Sequence, residues 1–514
     1  MIDRNSYRQA SRFQQQLLQA ALLSVLGLAL GCGGGGAPGG GQKGPPPETA
    51  TISSTVAGPF GVAMSTSFQP AEWDYTLFQD FPGLTTTLGN LKPQHIRLQG
   101  ISQGVPEDAT GAWNFQILDD ITQPVLGVGD HSPEFQIAKG PPFLYQGNDS
   151  NNPFLRTTDF SAFAVYAQNL VRYYDTKAGF VANGKTYVSP AYANQETITY
   201  WAIYNEPSIN NNLTDTDYVK MYNTLVPEMQ SIDSSIKFVA MELCCGSEDW
   251  VKTFAQGVSQ NAPVDVVASH YYSSCNQKDT DEMLMATVPE FVSSVQTIRS
   301  NLSTNPALAS VPIWVTENNV NADYDAGNGM SACNPGQTFV TDLRGSSPFF
   351  AAWRPYVFSQ FGKTGVAALY HWDFGADQQF GEVNASTGQL QLSYWVDYTL
   401  EHTFPSPPGA SLLDHTASDD ADLELLPVLN LDGSVVVMVS NHAVNSPSDN
   451  NGSGVAKNIE VDVSALGTFS SGSLTMIDDT TSVADGPATA SVAPASKMTI
   501  SFDGYGVAFL TLKP

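Results

Sequence analysis

Between about residues 51 and 400 the chain alternates short apolar, β-branched or aromatic runs with stretches of helical period. The runs at 61–65, 95–99, 124–129, 200–204, 236–241, 264–269, 313–316 and 366–371 have the near-continuous apolar character of strands covered on both faces. Between them, 160–175 carries Phe160, Phe163, Ala164, Ala167, Leu170 and Val171 on one helical face. The segments 217–232 and 288–302 carry similar stripes. Eight strands alternating with helices over this length predict an α/β fold, a (β/α)8 (TIM) barrel. From about 410 the pattern changes. Runs at 435–440, 459–463, 473–477, 497–502 and 507–512 are separated by Gly, Asn, Asp and Ser without a helical stripe. They predict a C-terminal antiparallel β-sandwich over 410–514. The β-like stretch 49–58 either opens the barrel, read as 51–405, or adds a strand to the sandwich. Residues 404–409 form the hinge.

The N-terminal residues carry an address. Arg4, Arg8 and Arg12 precede an apolar stretch from Leu17 to Leu30, which is short for a membrane span. The following Leu28-Ala29-Leu30-Gly31-Cys32 resembles a bacterial lipobox, in which the Cys is lipidated and becomes the new N-terminus. Residues 1–31 therefore read as a lipoprotein-type signal peptide; Ala29 stands where the motif expects Leu, which leaves plain cleavage without lipidation as the second reading. Residues 32–50, rich in Gly and Pro, read as a tether. The expected location is the bacterial cell envelope, with a lipid anchor at Cys32. The other cysteines, Cys244, Cys245, Cys275 and Cys333, suit an oxidising compartment, and Cys275–Cys333 is the preferred bridge because both lie in loops after strands.

Charge narrows the partners. The 514 residues include 22 Lys+Arg against 50 Asp+Glu, a formal net charge of −28. This balance offers no basic face for nucleic acid and none for an anionic membrane surface. Cysteine and histidine spacings give no metal site, and no cofactor motif or serine-nucleophile elbow occurs.

Two segments carry chemistry. Trp201-Ala-Ile-Tyr-Asn205-Glu206-Pro207 ends the fourth strand, and Ile313-Trp-Val-Thr316-Glu317-Asn318-Asn319 ends the seventh. Side chains at the C-terminal ends of barrel strands converge on one mouth, so Glu206 and Glu317 should face each other. Two facing carboxylates suit glycosidic cleavage, one donating a proton and the other attacking the anomeric carbon. Asn205 is placed to hydrogen-bond the sugar 2-hydroxyl. Arg97 at the end of the second strand suits a brace that keeps Glu317 ionised. His270 and Tyr272 end the sixth strand and are candidates to bind the nucleophile or the sugar. Trp372, ending the eighth, offers a flat floor for a sugar ring. His131, placed after a third strand at 124–129, is a candidate for a sugar hydroxyl, and Glu242 after the fifth is a further pocket carboxylate.

The W-x-I-Y-N-E-P and W-V-T-E-N segments resemble those of the clan A retaining glycoside hydrolases. They are most similar to glycoside hydrolase family 39, the family of β-xylosidases and α-L-iduronidases. The resemblance implies a barrel with an accompanying β-sandwich, Glu206 as acid/base, Glu317 as nucleophile, no cofactor, and a carbohydrate substrate drawn from a plant-type or microbial polysaccharide or oligosaccharide. Asn318 stands where family 39 segments often carry an aromatic, so families 5, 30, 44 and 79 of the clan stay open. Two other functions remain open as well. One is a non-catalytic carbohydrate-binding surface lipoprotein on the same barrel. The other is a transglycosylase using the same two glutamates.

Overall fold

The computed structural model describes residues 47–69, 76–100, 104–129, 131–150, 152, 154–209, 213–244, 246–327, 329–404 and 409–514. The expected signal peptide, Cys32, the expected tether to residue 46, Cys245 and most of the expected hinge lie outside the described residues. Eight parallel strands close into a barrel in chain order: Ala63–Phe68, His95–Gly100, Ser132–Ile137, Tyr200–Ile203, Lys237–Cys244, Val266–Ser274, Ile313–Asn321 and Ala368–His371. The sixth and seventh strands pair in parallel, completing the circle. The helices Ser161–Asp175, Asp215–Gln230 and Val288–Leu302 fall where the stripes predict them. Thr214 caps the second, its side chain accepting from Asp217 N while Asp217 returns a bond to the Thr214 backbone. No helix among the described residues is long and apolar enough to cross a membrane.

The alternation of side chains along each strand sorts core from site. Ile96 and Leu98, Phe135 and Ile137, and Trp201 and Ile203 are buried in the large core shared with the helices. Ala63, Ala202, Val239, Ala268, Trp314, Ala368 and Tyr370 form a separate cluster that fills the barrel. The His95 ring packs at a tilt against Trp314 of that cluster, with ring centroids 4.3 Å apart. Alanines on several strands make room for these few large rings. The mouth lies above this plug.

One expected element is corrected. Residues 124–129 are not a strand: Pro124–Leu126 form the last turn of the helix Gln116–Leu126, and the third strand is Ser132–Ile137. A short apolar run has the same signature in a buried helix end as in a buried strand. His131 therefore stands before the third strand, at the N-terminal end of the barrel, opposite the mouth. It plays no part in the site.

The second unit is one nine-stranded sheet containing all five expected C-terminal strands, together with Ala410–Ala417, Leu423–Leu429 and Thr489–Val492. The strand Glu48–Phe60 joins this sheet, antiparallel to Ala410–Ala417 and parallel to Lys457–Asp462. The sheet is pinned to the barrel. Ser440 Oγ donates to the carbonyl of Ala352 at 2.7 Å, on the helix Pro348–Thr364. Buried Asp281, the first residue of the helix Asp281–Ala286 after the sixth barrel strand, accepts from the backbone N–H groups of Asn451 and Gly452 at 2.8 Å each, and from Arg344. This clamp ties the sheet to the helix that follows the sixth barrel strand.

Candidate active site

Glu206 follows the fourth strand on a backbone that turns sharply. Tyr204 and Glu206 have φ of 72° and 44°, in the left-handed region that such residues rarely enter. The Glu206 N–H donates to the carbonyl of Glu242 at 3.0 Å, tying the ends of the fourth and fifth strands together. The fifth strand has its own irregularity. Its pairing with the sixth shifts between Ala240 and Leu243, where Met241 and Glu242 have φ of 83° and 45°. This bulge helps set the buried Glu242 carboxylate among its partners.

Across the mouth, Glu317 sits on the seventh strand beside a similar register shift. Its side chain is 7% exposed and that of Glu206 is 16% exposed. One oxygen of Glu206, one of Glu317 and a ring nitrogen of His270 all lie within 4.8 Å of one another. The two carboxylates predicted to face each other do so.

Glu317 has three polar neighbours. Arg97 Nη1 lies 2.9 Å from Oε1, the Tyr272 hydroxyl donates to Oε2 at 2.7 Å, and His270 Nδ1 stands 3.4 Å from Oε2. Burial raises this carboxyl above its usual range with a further push from Glu206, against the opposing pull of His270, Arg97 and the Tyr272 hydroxyl. Arg97 is fully buried. Besides Glu317 it donates from Nη2 to Glu242 Oε2 at 2.9 Å and to Asn205 Oδ1 at 3.1 Å. Asn205 Oδ1 also accepts from Gln136 Nε2 at 2.9 Å. Both bonds fall on the amide oxygen, so the amide nitrogen remains available as a donor.

His270 connects the two halves. Nδ1 is 3.0 Å from Glu206 Oε1, and Nε2 is 2.9 Å from Glu242 Oε2. Burial alone would lower the imidazole, but Glu317, Glu206 and Glu242 together overcome it and push it up to about 10. Trp372 closes one side, 8% exposed, its indole N–H donating to Gln69 Oε1 at 3.1 Å. Its ring meets Phe380 edge-on at 4.7 Å and Tyr272 at 6.3 Å.

The sequence-derived residues Glu206, Glu317, Asn205, Arg97, His270, Tyr272 and Trp372 thus assemble at one mouth, and His131 does not. Sequence reasoning missed Gln136 and Glu134 of the third strand. Glu134 accepts from the Tyr370 hydroxyl at 2.8 Å and lies 3.8 Å from Arg97 Nε. Burial and the neighbouring Glu242 push it up to about 8. The alternating Glu134-Phe-Gln136 was the available signal. Asn318 is structural: its amide oxygen accepts from Arg354 Nη1 at 2.6 Å, and its nitrogen donates to the carbonyl of Tyr271. Cys275 and Cys333 form the expected disulfide, joining the loops after the sixth and seventh strands. Cys244 is disulfide-bonded as well, to a partner outside the described residues.

A family model described as "Glycosyl hydrolase catalytic core" matches residues 174–343. No curated protein matches the chain by sequence. Among solved structures, the chain is similar to a GH39 enzyme from Xanthomonas axonopodis pv. citri, at 15% identity and a TM-score of 0.64, covering 93% of this chain and 99% of that one. It is also similar to a monomeric β-xylosidase from Caulobacter crescentus CB15, at 14% identity and a TM-score of 0.60, covering 91% and 99%. A third is a GH51 α-L-arabinofuranosidase from Thermotoga petrophila RKU-1, at 13% identity and a TM-score of 0.62, covering 91% and 100%. At these identities the likeness is one of fold. It accords with the clan A motifs and with their similarity to family 39.

Proposed function

We propose that the chain is a retaining glycoside hydrolase in which Glu317 is the nucleophile and Glu206 the acid/base. The observation that carries this reading is the pair itself, two carboxylate oxygens within 4.8 Å at the barrel mouth. Retaining enzymes hold their carboxyl groups about 5–5.5 Å apart, and inverting ones leave room for a water between them. Glu317, flanked by Arg97, His270 and the Tyr272 hydroxyl, is fixed for attack on the anomeric carbon. Glu206, the more exposed of the two, protonates the departing oxygen and then takes a proton from the attacking water. The free Asn205 amide donates to the 2-hydroxyl, and Trp372 lies under the ring. Arg97 and His270, the cations of the site among the described residues, are engaged by protein carboxylates, which supports a neutral sugar over a uronate.

The test is a panel of aryl β-xyloside, α-arabinoside, β-glucoside and β-mannoside, assayed with the wild type and Glu206→Ala. The variant is expected to lose turnover on poor phenolate leaving groups and keep glycosylation of activated ones. Equal loss on all would remove the acid role. The N-terminal sequence supports export and lipid attachment at Cys32. Incorporation of labelled palmitate that is lost in Cys32→Ser tests that part.

A further inference from the structure

Glu242 is fully buried, and a single oxygen of it, Oε2, collects four donors. They are Arg97 Nη2 at 2.9 Å, His270 Nε2 at 2.9 Å, Gln136 Nε2 at 3.0 Å and Thr316 Oγ1 at 3.1 Å. Four donors on one oxygen describe an ionised carboxylate, and Arg97 and His270 hold it below the usual range against its burial. An anion there keeps a proton on His270 Nε2. The other ring nitrogen, Nδ1, then faces Glu206 Oε1 and Glu317 Oε2. Only two proton arrangements satisfy this contact. Either Nδ1 is protonated and donates to Glu206 Oε1, or Nδ1 is bare and accepts a proton carried on Oε1. The second arrangement points the acid's proton at the protein instead of the leaving group.

We propose that Glu242 is a positioning residue that selects the first arrangement. As counter-ion to the imidazolium, it makes His270 a donor on both nitrogens and commits Glu206 Oε1 to accepting. The transferable proton therefore resides on Glu206 Oε2. The charges balance: with Glu242 and Glu317 ionised, Arg97 and His270 cationic and one proton on Glu206, the cluster is neutral. The other groups facing it are accounted for. Glu134 is held protonated at neutral pH by burial and by Glu242. The hydroxyls of Tyr272, Tyr370 and Tyr218 are raised by burial and by the nearby carboxylates and stay neutral.

The inference rests on the proposed acid/base role of Glu206, and two measurements separate it from that reading. The first is independent of activity: nitrogen-15 NMR of histidine-labelled protein at pH 8, with the His270 signals assigned by His270→Gln. Both ring nitrogens should be protonated in the wild type, and Nδ1 should lose its proton in the isosteric Glu242→Gln. A neutral His270 in the wild type at pH 8, or an unchanged imidazolium in Glu242→Gln, overturns the proposal. The second is kinetic. Glu242→Gln should lose at least tenfold in kcat/KM on glycosides with poor leaving groups and less than threefold on dinitrophenyl glycosides, with its alkaline limb at least one pH unit lower. A merely structural Glu242 would depress both substrate classes alike with an unmoved pH profile, which would also overturn it. If the wild type cleaves no glycoside, the proposed function falls while the NMR result still judges the proton arrangement.

Discussion

Arg97 Nη1 stands 2.9 Å from Glu317 Oε1, and the Arg97 side chain has no exposed surface. The same guanidinium holds Glu242, so its removal strands two buried carboxylates. Arg97→Met is expected to cost about 3–5 kcal/mol of stability, the range for breaking a buried ion pair from one side. Urea unfolding of the variant checks this. A loss below about 1 kcal/mol would mean that Arg97 is not the counter-ion the geometry describes.

The Tyr272 hydroxyl, 2.7 Å from Glu317 Oε2, should matter most when Glu317 departs from the sugar and regains its charge. A charge-assisted hydrogen bond is worth about 1.5–3 kcal/mol, so Tyr272→Phe should lower kcat tenfold or more. Its kcat/KM should fall less, with a pre-steady-state burst as the glycosyl intermediate accumulates. Stopped-flow release of an activated phenolate separates the two steps.

Stability should fall on the alkaline side. His270 is pushed from an ordinary 6.5 to about 10, so its contribution is complete below pH 6.5 and is lost as pH rises through 10. Glu134, raised from 4.5 to about 8, acts in the same direction over its own window because the folded state holds the proton more tightly. The midpoint of thermal unfolding should drop between pH 7 and 10, and His270→Gln should flatten the upper part of that drop.

The Cys275–Cys333 bridge closes a sequence separation of 58 residues across the rim loops. Chain-entropy reasoning assigns such a loop up to about 4 kcal/mol. Cys333→Ser, or reduction of the protein, should lower the unfolding midpoint. Calorimetry of Cys333→Ser beside the wild type reads this directly, since reductant also opens the bridge at Cys244.

Much of this was legible because barrel strands covered by helices are apolar and their ends are not. Trp201-Ala-Ile-Tyr followed by Asn205-Glu206 shows a strand running into a site, and Ile313-Trp-Val followed by Thr316-Glu317 does the same. The third strand escaped because Ser132-Pro-Glu-Phe-Gln-Ile137 places polar Glu134 and Gln136 on alternate positions, while the helix end at Pro124–Leu126 mimics a buried strand. The role of Glu242 was hidden for another reason. Its four donors come from the second, third, sixth and seventh strands, and the local bulge at Met241 and Glu242 leaves no signature in residue order. Asn318, conspicuous in sequence beside Glu317, proved to be a brace for Arg354 and the Tyr271 carbonyl.

The central claim is that Glu317 forms the covalent bond to the sugar, and Glu317→Ala assayed on an activated aryl glycoside with and without azide tests it most directly. The account predicts loss of hydrolysis without azide and recovery with it, giving a glycosyl azide of inverted configuration because the small anion takes the place of the missing carboxylate. Wild-type turnover by Glu317→Ala would contradict it.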